Sequence, residues 1–126
     1  MTVEAISCTG LPKAHGAYSH GTKCGGMILT SGQIPTDNVT GKMITDIKQA
    51  TREVLDNLLK VVEAGGGRLD TVAKVDVYLK NLEDFKSFNE VYADFFGVHK
   101  PARVTSQAGD LFEGALLEIS MIAFVA

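Results

Sequence analysis

The last quarter of the chain reads HKPARVTSQ at residues 99–107 and LLEISMIAFVA at residues 116–126. Both segments are rich in β-branched and apolar residues and predict two strands joined by a short loop. Arg103 and Glu118 each place a charge inside one of these strands. A charge in a strand is costly unless it is paired or faces a wet site. The two residues therefore indicate either a structural ion pair or a functional site, and taken alone they favour the ion pair.

Composition narrows the function classes. The 126 residues fit one domain, covering 1–126, and a hydrophobic content of 45% predicts an ordinary globular protein. Twelve Lys and Arg against fifteen Asp and Glu give a net charge of -3. No basic block is present, which argues against a nucleic-acid partner. Cys8 and Cys24 lack a C-x-x-C arrangement and nearby histidines, so they predict free thiols and no metal site.

Targeting signals are missing from the sequence. We find no signal peptide and no apolar run of about 18 residues or more. The expectation is a soluble protein without a membrane partner. It would lie in the cytoplasm, or in an organelle such as the mitochondrion if the source is a eukaryote.

Hydrophobic periodicity predicts the element order β, β, β, α, β, α, β, β in a single α+β domain. One strand is expected at residues 3–6 and another at residues 27–35, which Gly32 interrupts. Glycine within a strand marks a bulge or a close approach of the backbone to another group. The Gly32 N–H is thus a candidate ligand donor, although packing alone would also explain the glycine. Clean alternation at residues 71–79 predicts a further strand.

Two helices follow from spacing and capping signals. The first is predicted at about residues 45–64, capped by its first residue, Thr45. The second follows Asn81, the predicted N-cap, with Asp84 at the third position as in a capping box. An aromatic stripe on this helix is expected in the core, and Asn89 lies at the margin of the stripe.

The strand–helix–strand order also predicts how the layers are arranged. Crossovers of one hand place both helices on one face of a mixed sheet. The alternation of side chains then assigns Arg103, Thr105, Ser31 and Glu118 to the opposite face. That face mixes polar and apolar residues, and no remaining element can cover it. We therefore expect a homo-oligomer with these four residues at or near the interface.

Several blocks of the sequence resemble one known family over nearly the whole chain. It is the RidA/YjgF family, also called the L-PSP endoribonuclease family. Spaced blocks of this kind are much more specific together than any one of them alone. The matching blocks are GAYS at 16–19, TSGQIP at 30–35, DNL at 56–58, FNEVY at 88–92, PAR at 101–103 and EI at 118–119 with IA at 122–123.

The resemblance implies a chorismate-mutase-like α+β fold and a homotrimer with three clefts between subunits. It also implies hydrolysis of reactive enamine and imine intermediates, such as 2-aminoacrylate, to a 2-keto acid and ammonia. By position, Arg103 would clamp the substrate carboxylate and Glu118 would orient the attacking water. The residues implied to line the cleft are Tyr18, Ser31, Gly32 through its N–H, Asn89 and Thr105.

The sequence departs from the family pattern at two of these places. Thr105 stands where many members have cysteine, which argues against thiol chemistry and bears on substrate choice. Ala17 stands where many have proline before the tyrosine, which would loosen the loop that carries Tyr18.

The implied reaction suits these side chains chemically. A guanidinium binds a carboxylate through two parallel hydrogen bonds and so fixes the plane of the substrate. A protonated imine is already activated, so the reaction requires no metal, cofactor or covalent nucleophile. What remains is to position water and to move a proton, which a carboxylate in a partly desolvated cleft can do. The competing hypotheses are a ribonuclease or translation inhibitor, and a non-enzymatic metabolite-binding or chaperone-like module.

Overall fold

A computed structural model describes residues 2–126 and gives the predicted order of three strands, a helix, a strand, a helix and two strands. Short 3₁₀ turns occur at residues 69–71, 82–84 and 112–114. The strands are β1 (Val3–Ile6), β2 (Gly21–Cys24), β3 (Met27–Thr30), β4 (Val72–Leu79), β5 (Ala102–Gln107) and β6 (Leu117–Phe124), and the helices are α1 (Ile47–Ala64) and α2 (Phe85–Phe96).

The six strands form one mixed sheet in the order β1-β2-β3-β6-β4-β5. The β4–β5 pair is parallel and the other pairs are antiparallel. Helix α1 connects β3 to β4, and α2 connects β4 to β5. Strand β5 lies at an edge and pairs only with β4 among the described residues. The predicted α+β class, with a mixed sheet and two helices, is confirmed.

A single apolar core lies between the helices and one face of the sheet. The predicted alternation is confirmed for β4 and β6, where every second residue is buried. A register shift between Val72 and Lys74 buries Val72 in place of the expected Ala73. Within the described part of the chain, no helix has the length and apolar character needed to cross a membrane. The fully buried positions that join the layers include Ile28, Val54, Leu58, Val75, Val77, Leu79, Phe88, Leu117 and Ile119.

The helix starts differ from prediction in their caps. Asp46, not Thr45, caps α1, because its backbone is extended and its carboxylate accepts the Gln49 N–H at 2.9 Å. The Asn81 side chain makes no capping bond. The side-chain oxygen of Gln107, at the end of β5, accepts the Leu82 N–H at 3.0 Å instead. A side chain from a neighbouring strand thus replaces the local capping box.

Strand β3 is shorter than the predicted span of residues 27–35. It ends at Thr30, and a single bridge between Gln33 and Ile119 resumes the pairing with β6. Two hydrogen bonds of 2.9 and 3.2 Å join these residues. Ser31 and Gly32 therefore sit in a short interruption, anchored on both sides, next to the start of β6.

Candidate active site

Four of the predicted site residues line one cleft. Tyr18, Ser31, Gly32 and Glu118 all border a cavity of about 620 Å³. Glu118 reaches it because it alternates with the buried Leu117 and Ile119 and so points away from the helices. The interrupted end of β3 and the loop before β2 supply the other three residues.

Gly32 and Glu118 are in close contact. A Cβ atom placed on Gly32 would lie 2.9 Å from the side-chain Cδ of Glu118, and closer still to one carboxylate oxygen. Real Cβ atoms do not approach a neighbour so closely, so only glycine leaves room for the carboxylate in this position. Within the described residues the Gly32 N–H donates to no backbone carbonyl, in contrast to the N–H groups of Ser31 and Gln33 on either side. The predicted close approach is confirmed.

Ser31 and Tyr18 border the same cavity, but the Ser31 side chain is held by a hydrogen bond whereas the Tyr18 ring is exposed. The Ser31 hydroxyl donates to the Ser19 carbonyl oxygen at 2.6 Å, and the Ser31 N–H donates to the His20 carbonyl oxygen at 2.9 Å. The Ser31 oxygen therefore faces the cleft mainly as an acceptor. Tyr18 is 52% exposed, so its ring is available to contact a ligand or another chain.

The other three predicted residues, Arg103, Asn89 and Thr105, lie at the β5 edge. Together with Tyr92 they form a separate cluster, which we call the Arg103 cluster. Arg103 Nη1 donates to the Asn89 side-chain oxygen at 2.8 Å. The guanidinium carbon lies 4.6 Å from the centroid of the Tyr92 ring, with Phe85 and Phe88 at 5.5 and 5.7 Å. Stacking on aromatic faces stabilises a guanidinium and fixes its plane. The aromatic stripe of α2 is therefore both core and a platform for Arg103.

Two hydroxyl groups in the Arg103 cluster lack good partners. The Thr105 Oγ1 and the Tyr92 hydroxyl are buried and make no hydrogen bond of good geometry within residues 2–126. Burial raises the pKa of Tyr92 to about 12, and the nearby charge of Arg103 opposes this only in part. Buried polar groups are normally satisfied, so these hydroxyls retain the capacity to bond to a further partner such as a water molecule or a ligand.

The structure corrects the predicted face of β5. Arg103 pairs with Val75 and Thr105 with Val77, so both point toward the helices, while Glu118 pairs with Tyr78 on the other face. The prediction assumed that apolar residues mark the core side of β5, yet Val104 is 51% exposed. At this edge the α2 rings accept the flat guanidinium in place of an aliphatic side chain.

The ion-pair interpretation is also wrong. Arg103 and Glu118 form no salt bridge with each other or with any other residue of the described range. Cys8 and Cys24 are free thiols as predicted, and burial raises the pKa of Cys8, which disfavours its reactive thiolate. No group of three or more side chains suited to a metal occurs among residues 2–126.

Two residues that border the cleft escaped sequence reasoning. Phe112 is 79% exposed and lines the cavity from the 3₁₀ turn before β6. An aromatic residue in a polar, glycine-containing loop was the available signal. His20 is only 9% exposed and forms part of the wall. His20 belongs to no recognisable sequence motif, so only the three-dimensional structure places it in the wall of the cleft.

Comparison with known proteins places the chain in a family. The family model for Endoribonuclease L-PSP matches residues 9–125. A RutC family protein of Pyrococcus horikoshii is 45% identical over 122 residues, covering 96% of this chain and 97% of that protein. The 2-iminobutanoate/2-iminopropanoate deaminase of Escherichia coli is 37% identical over 123 residues, covering 95% and 96% of the two chains.

Solved structures agree with the sequence matches. The crystal structure of E. coli TdcF with bound serine superposes with a TM-score of 0.93 at 35% identity, covering 98% of this chain and 99% of that one. Matches of this extent, in sequence and in fold, show that the chain belongs to the L-PSP endoribonuclease family, the RidA/YjgF family that its sequence blocks resemble.

Proposed function

We propose that this protein hydrolyses reactive enamine and imine intermediates to 2-keto acids and ammonia. The observation that carries the proposal is the state of Arg103. Its guanidinium lies over the aromatic rings of α2 and donates a hydrogen bond to Asn89, and no carboxylate of the described chain neutralises it. A half-buried guanidinium without a counter-ion suits an anionic ligand, and its planar fork suits a carboxylate.

The site that this reaction needs is divided between the two faces of one chain. Tyr18, Ser31, Gly32 and Glu118 border the cleft, whereas the Arg103 cluster lies at the β5 edge. We propose that the β5 edge of one copy docks beside the cleft of the next in a homotrimer. The exposed apolar groups on the open side of the sheet support such burial. They are Met27, Tyr78, Val104 and Phe124.

In this arrangement the protein forms no covalent bond with the substrate and acts by binding it and by transferring protons. Arg103 binds the carboxylate of the imino acid and holds its C=N carbon near Glu118. Glu118 accepts a proton from water as the oxygen adds to that carbon, which gives a carbinolamine. The same carboxyl then returns the proton to the amine. As the C–N bond breaks and ammonia leaves, the Glu118 carboxylate takes the proton of the hydroxyl group, and the C=O bond of the keto acid forms. The departing ammonia takes this proton from Glu118, which restores the carboxylate. The free N–H of Gly32 can donate to an oxygen of the substrate or intermediate.

Two related E. coli proteins support this chemistry. The E. coli protein is named as a deaminase of 2-iminobutanoate and 2-iminopropanoate, and both substrates carry the carboxylate that Arg103 suits. The E. coli TdcF structure holds serine, which also presents a carboxylate beside a nitrogen-bearing carbon.

Ribonuclease activity, which the family description names, fits these residues less well. His15 and His20 both border the cleft, so a histidine pair is present in space. However, both ring nitrogens of His20 are engaged with backbone groups, at 3.1 Å from the Cys8 nitrogen and 2.8 Å from the Pro12 oxygen. His20 therefore has no free nitrogen for acid–base work on a ribose hydroxyl. The net charge of -3 also disfavours a polyanionic substrate.

The direct test measures keto acid and ammonia from imines generated in situ from several amino acids. We expect release well above the uncatalysed rate for at least one small imino acid. Ligand binding without faster hydrolysis would instead identify a metabolite-binding module. RNA cleavage whose rate falls steeply with added salt would identify a nuclease.

A further inference from the structure

The loop between β1 and β2 is unusually long for a hairpin connection. It spans residues 7–20, fourteen in number, because β1 ends at Ile6 and β2 begins at Gly21. Hairpin loops normally contain about two to five residues, and longer ones are commonly functional. This loop supplies one wall of the cleft, including Tyr18. Its conformation therefore decides whether the wall is in place.

His20 ties this loop together. Among the described residues, the two hydrogen bonds that a side chain of the loop makes to another residue of the loop both come from the His20 ring. From outside the loop, the Ser31 hydroxyl donates to the Ser19 carbonyl oxygen at 2.6 Å. The Cys8 N–H donates to Nδ1 at 3.1 Å, and Nε2 lies 2.8 Å from the Pro12 carbonyl oxygen. The His20 carbonyl also accepts from the Ser31 N–H, which links the loop to the interrupted end of β3.

These partners fix the protonation state of the ring. A backbone N–H can only donate, so Nδ1 must be an unprotonated acceptor, and a carbonyl can only accept, so Nε2 must carry the hydrogen. Only the neutral Nε2–H tautomer satisfies both. A second proton would place an N–H on Nδ1 against the Cys8 N–H, and one hydrogen bond would become a repulsive contact.

We infer that His20 is a positioning residue of the cleft, whose neutral ring helps to hold the Tyr18 loop in its binding arrangement and whose protonation breaks the link to Cys8 and so loosens that loop. Other ionisable groups near the ring lie on α1, through Lys60 beside Cys8, and around the cavity. None of them makes a hydrogen bond to the ring, so none can take the place of the lost acceptor. Those around the cavity are Lys13, His15, Tyr18, Asp37, Glu113 and Glu118.

The chain allows a matched set of variants. In His20→Gln, the amide oxygen can accept the Cys8 N–H and the amide nitrogen can donate to Pro12, but the side chain does not titrate. In His99→Gln, a histidine outside the cleft, whose ring bonds the Val72 carbonyl oxygen at 2.7 Å, is changed in the same way. The His99 variant controls for general effects of removing a titratable ring.

The first measurement is nitrogen NMR of the histidine rings, and it needs no ligand. We expect His20 to be the neutral Nε2–H tautomer near pH 8, and the Cys8 amide to exchange faster once the ring is protonated. In His20→Gln the exchange rate of the Cys8 amide should no longer show this change on acidification. A His20 ring that carries its proton on Nδ1, or a Cys8 amide indifferent to the ring's charge, would overturn the inference.

The second measurement is calorimetric binding of 2-oxobutanoate between about pH 8 and pH 5, where histidines change charge. This part rests on the proposed function, and the NMR part does not. As the pH falls over this range, we expect the Kd of the wild type and of His99→Gln to rise. The rise should be about three- to tenfold larger than in His20→Gln, because the loss of one hydrogen bond has an effect of this size. An equal rise in all three proteins would overturn the link to binding. A protein that binds no keto acid would count against the proposed function and leave the NMR result to decide the role of His20.

Discussion

Arg103 and Glu118 lie on opposite faces of the same sheet, although their strands are separated only by β4. Arg103 pairs with Val75 and faces α2, whereas Glu118 pairs with Tyr78 and faces the cleft. Within the described residues, a single chain therefore presents a cation without a salt bridge at the β5 edge and a carboxylate without a salt bridge in the cleft. Each residue supplies half of the site that the proposed imine hydrolysis requires.

Gly32→Ala tests the contact between Gly32 and Glu118. The new Cβ would overlap the Glu118 side chain and force the carboxylate out of its position. We expect deamination to fall by about a hundredfold, the effect of an ångström-scale misplacement. Circular dichroism should show a retained fold. Gly109→Ala is the matched control, because a Cβ there meets no atom within 4 Å. Equal deaminase activity in the two variants would show that the contact between Gly32 and Glu118 is not needed for the reaction.

Glu118→Gln removes the proposed proton carrier with little change in shape. The amide cannot take a proton from water, so turnover should fall by about 10²–10⁴-fold. Binding of a keto-acid product should persist, because Arg103 is untouched. The measurement pairs ammonia release with calorimetry of 2-oxobutanoate. Unchanged ammonia release would make Glu118 a structural residue and require another partner for the water.

Arg103→Lys separates a planar clamp from a simple positive charge. Lysine keeps the charge but cannot form the two parallel hydrogen bonds or stack flat on Tyr92. We expect kcat/KM to fall by about a hundredfold or more, with little change in Tm. Arg52→Lys is the control, since Arg52 also lies over an aromatic ring, Phe95, but in an exposed pair with Asp94. A lysine variant with near-native activity would contradict the clamp.

Tyr92→Phe tests the buried hydroxyl under Arg103. Burial favours the neutral phenol and raises the pKa of Tyr92 to about 12. The stabilisation this implies is fully present below about pH 10, the ordinary tyrosine value, and is lost as the pH rises toward 12. Urea unfolding should therefore show the wild type weakening between about pH 10 and pH 12 by more than the variant. An identical pH dependence in the two proteins would show that the phenol is not buried in solution.

Much of the fold follows from the sequence because its strongest patterns are local. Alternation in β6, and in β4 from Val75 onward, predicts their buried faces, since a one-residue slip would expose every apolar side chain. The register shift that buries Val72 in place of Ala73 is not part of that pattern. The position of Gly32 inside the predicted strand at residues 27–35 indicates a bulge or a close approach, and the close approach to Glu118 is what the structure shows. The element order then follows from helical spacing and from the glycine residues that end the helices.

The errors arise where a distant partner overrides the local pattern. Strand β5 has weak alternation, and its orientation is decided by rings of α2 that stack on Arg103. The 3₁₀ turn that precedes α2 is capped by Gln107, which is 25 residues away from Leu82 in the sequence. The role of His20 depends on Cys8 and Pro12, which are close only because the loop folds back on itself. No pattern in the sequence encodes such pairings.

The most direct test of the account mixes two inactive variants, Arg103→Lys and Glu118→Gln. If each site takes Arg103 from one copy and Glu118 from another, a mixed oligomer contains sites with both native residues. Random assembly from equal amounts makes about one quarter of the sites intact, since each native contribution has a chance of about one half. We expect the refolded mixture to recover about a quarter of the wild-type deaminase activity. A mixture no more active than the mean of the two variants, with mixed oligomers verified by mass spectrometry, would contradict a site shared between chains.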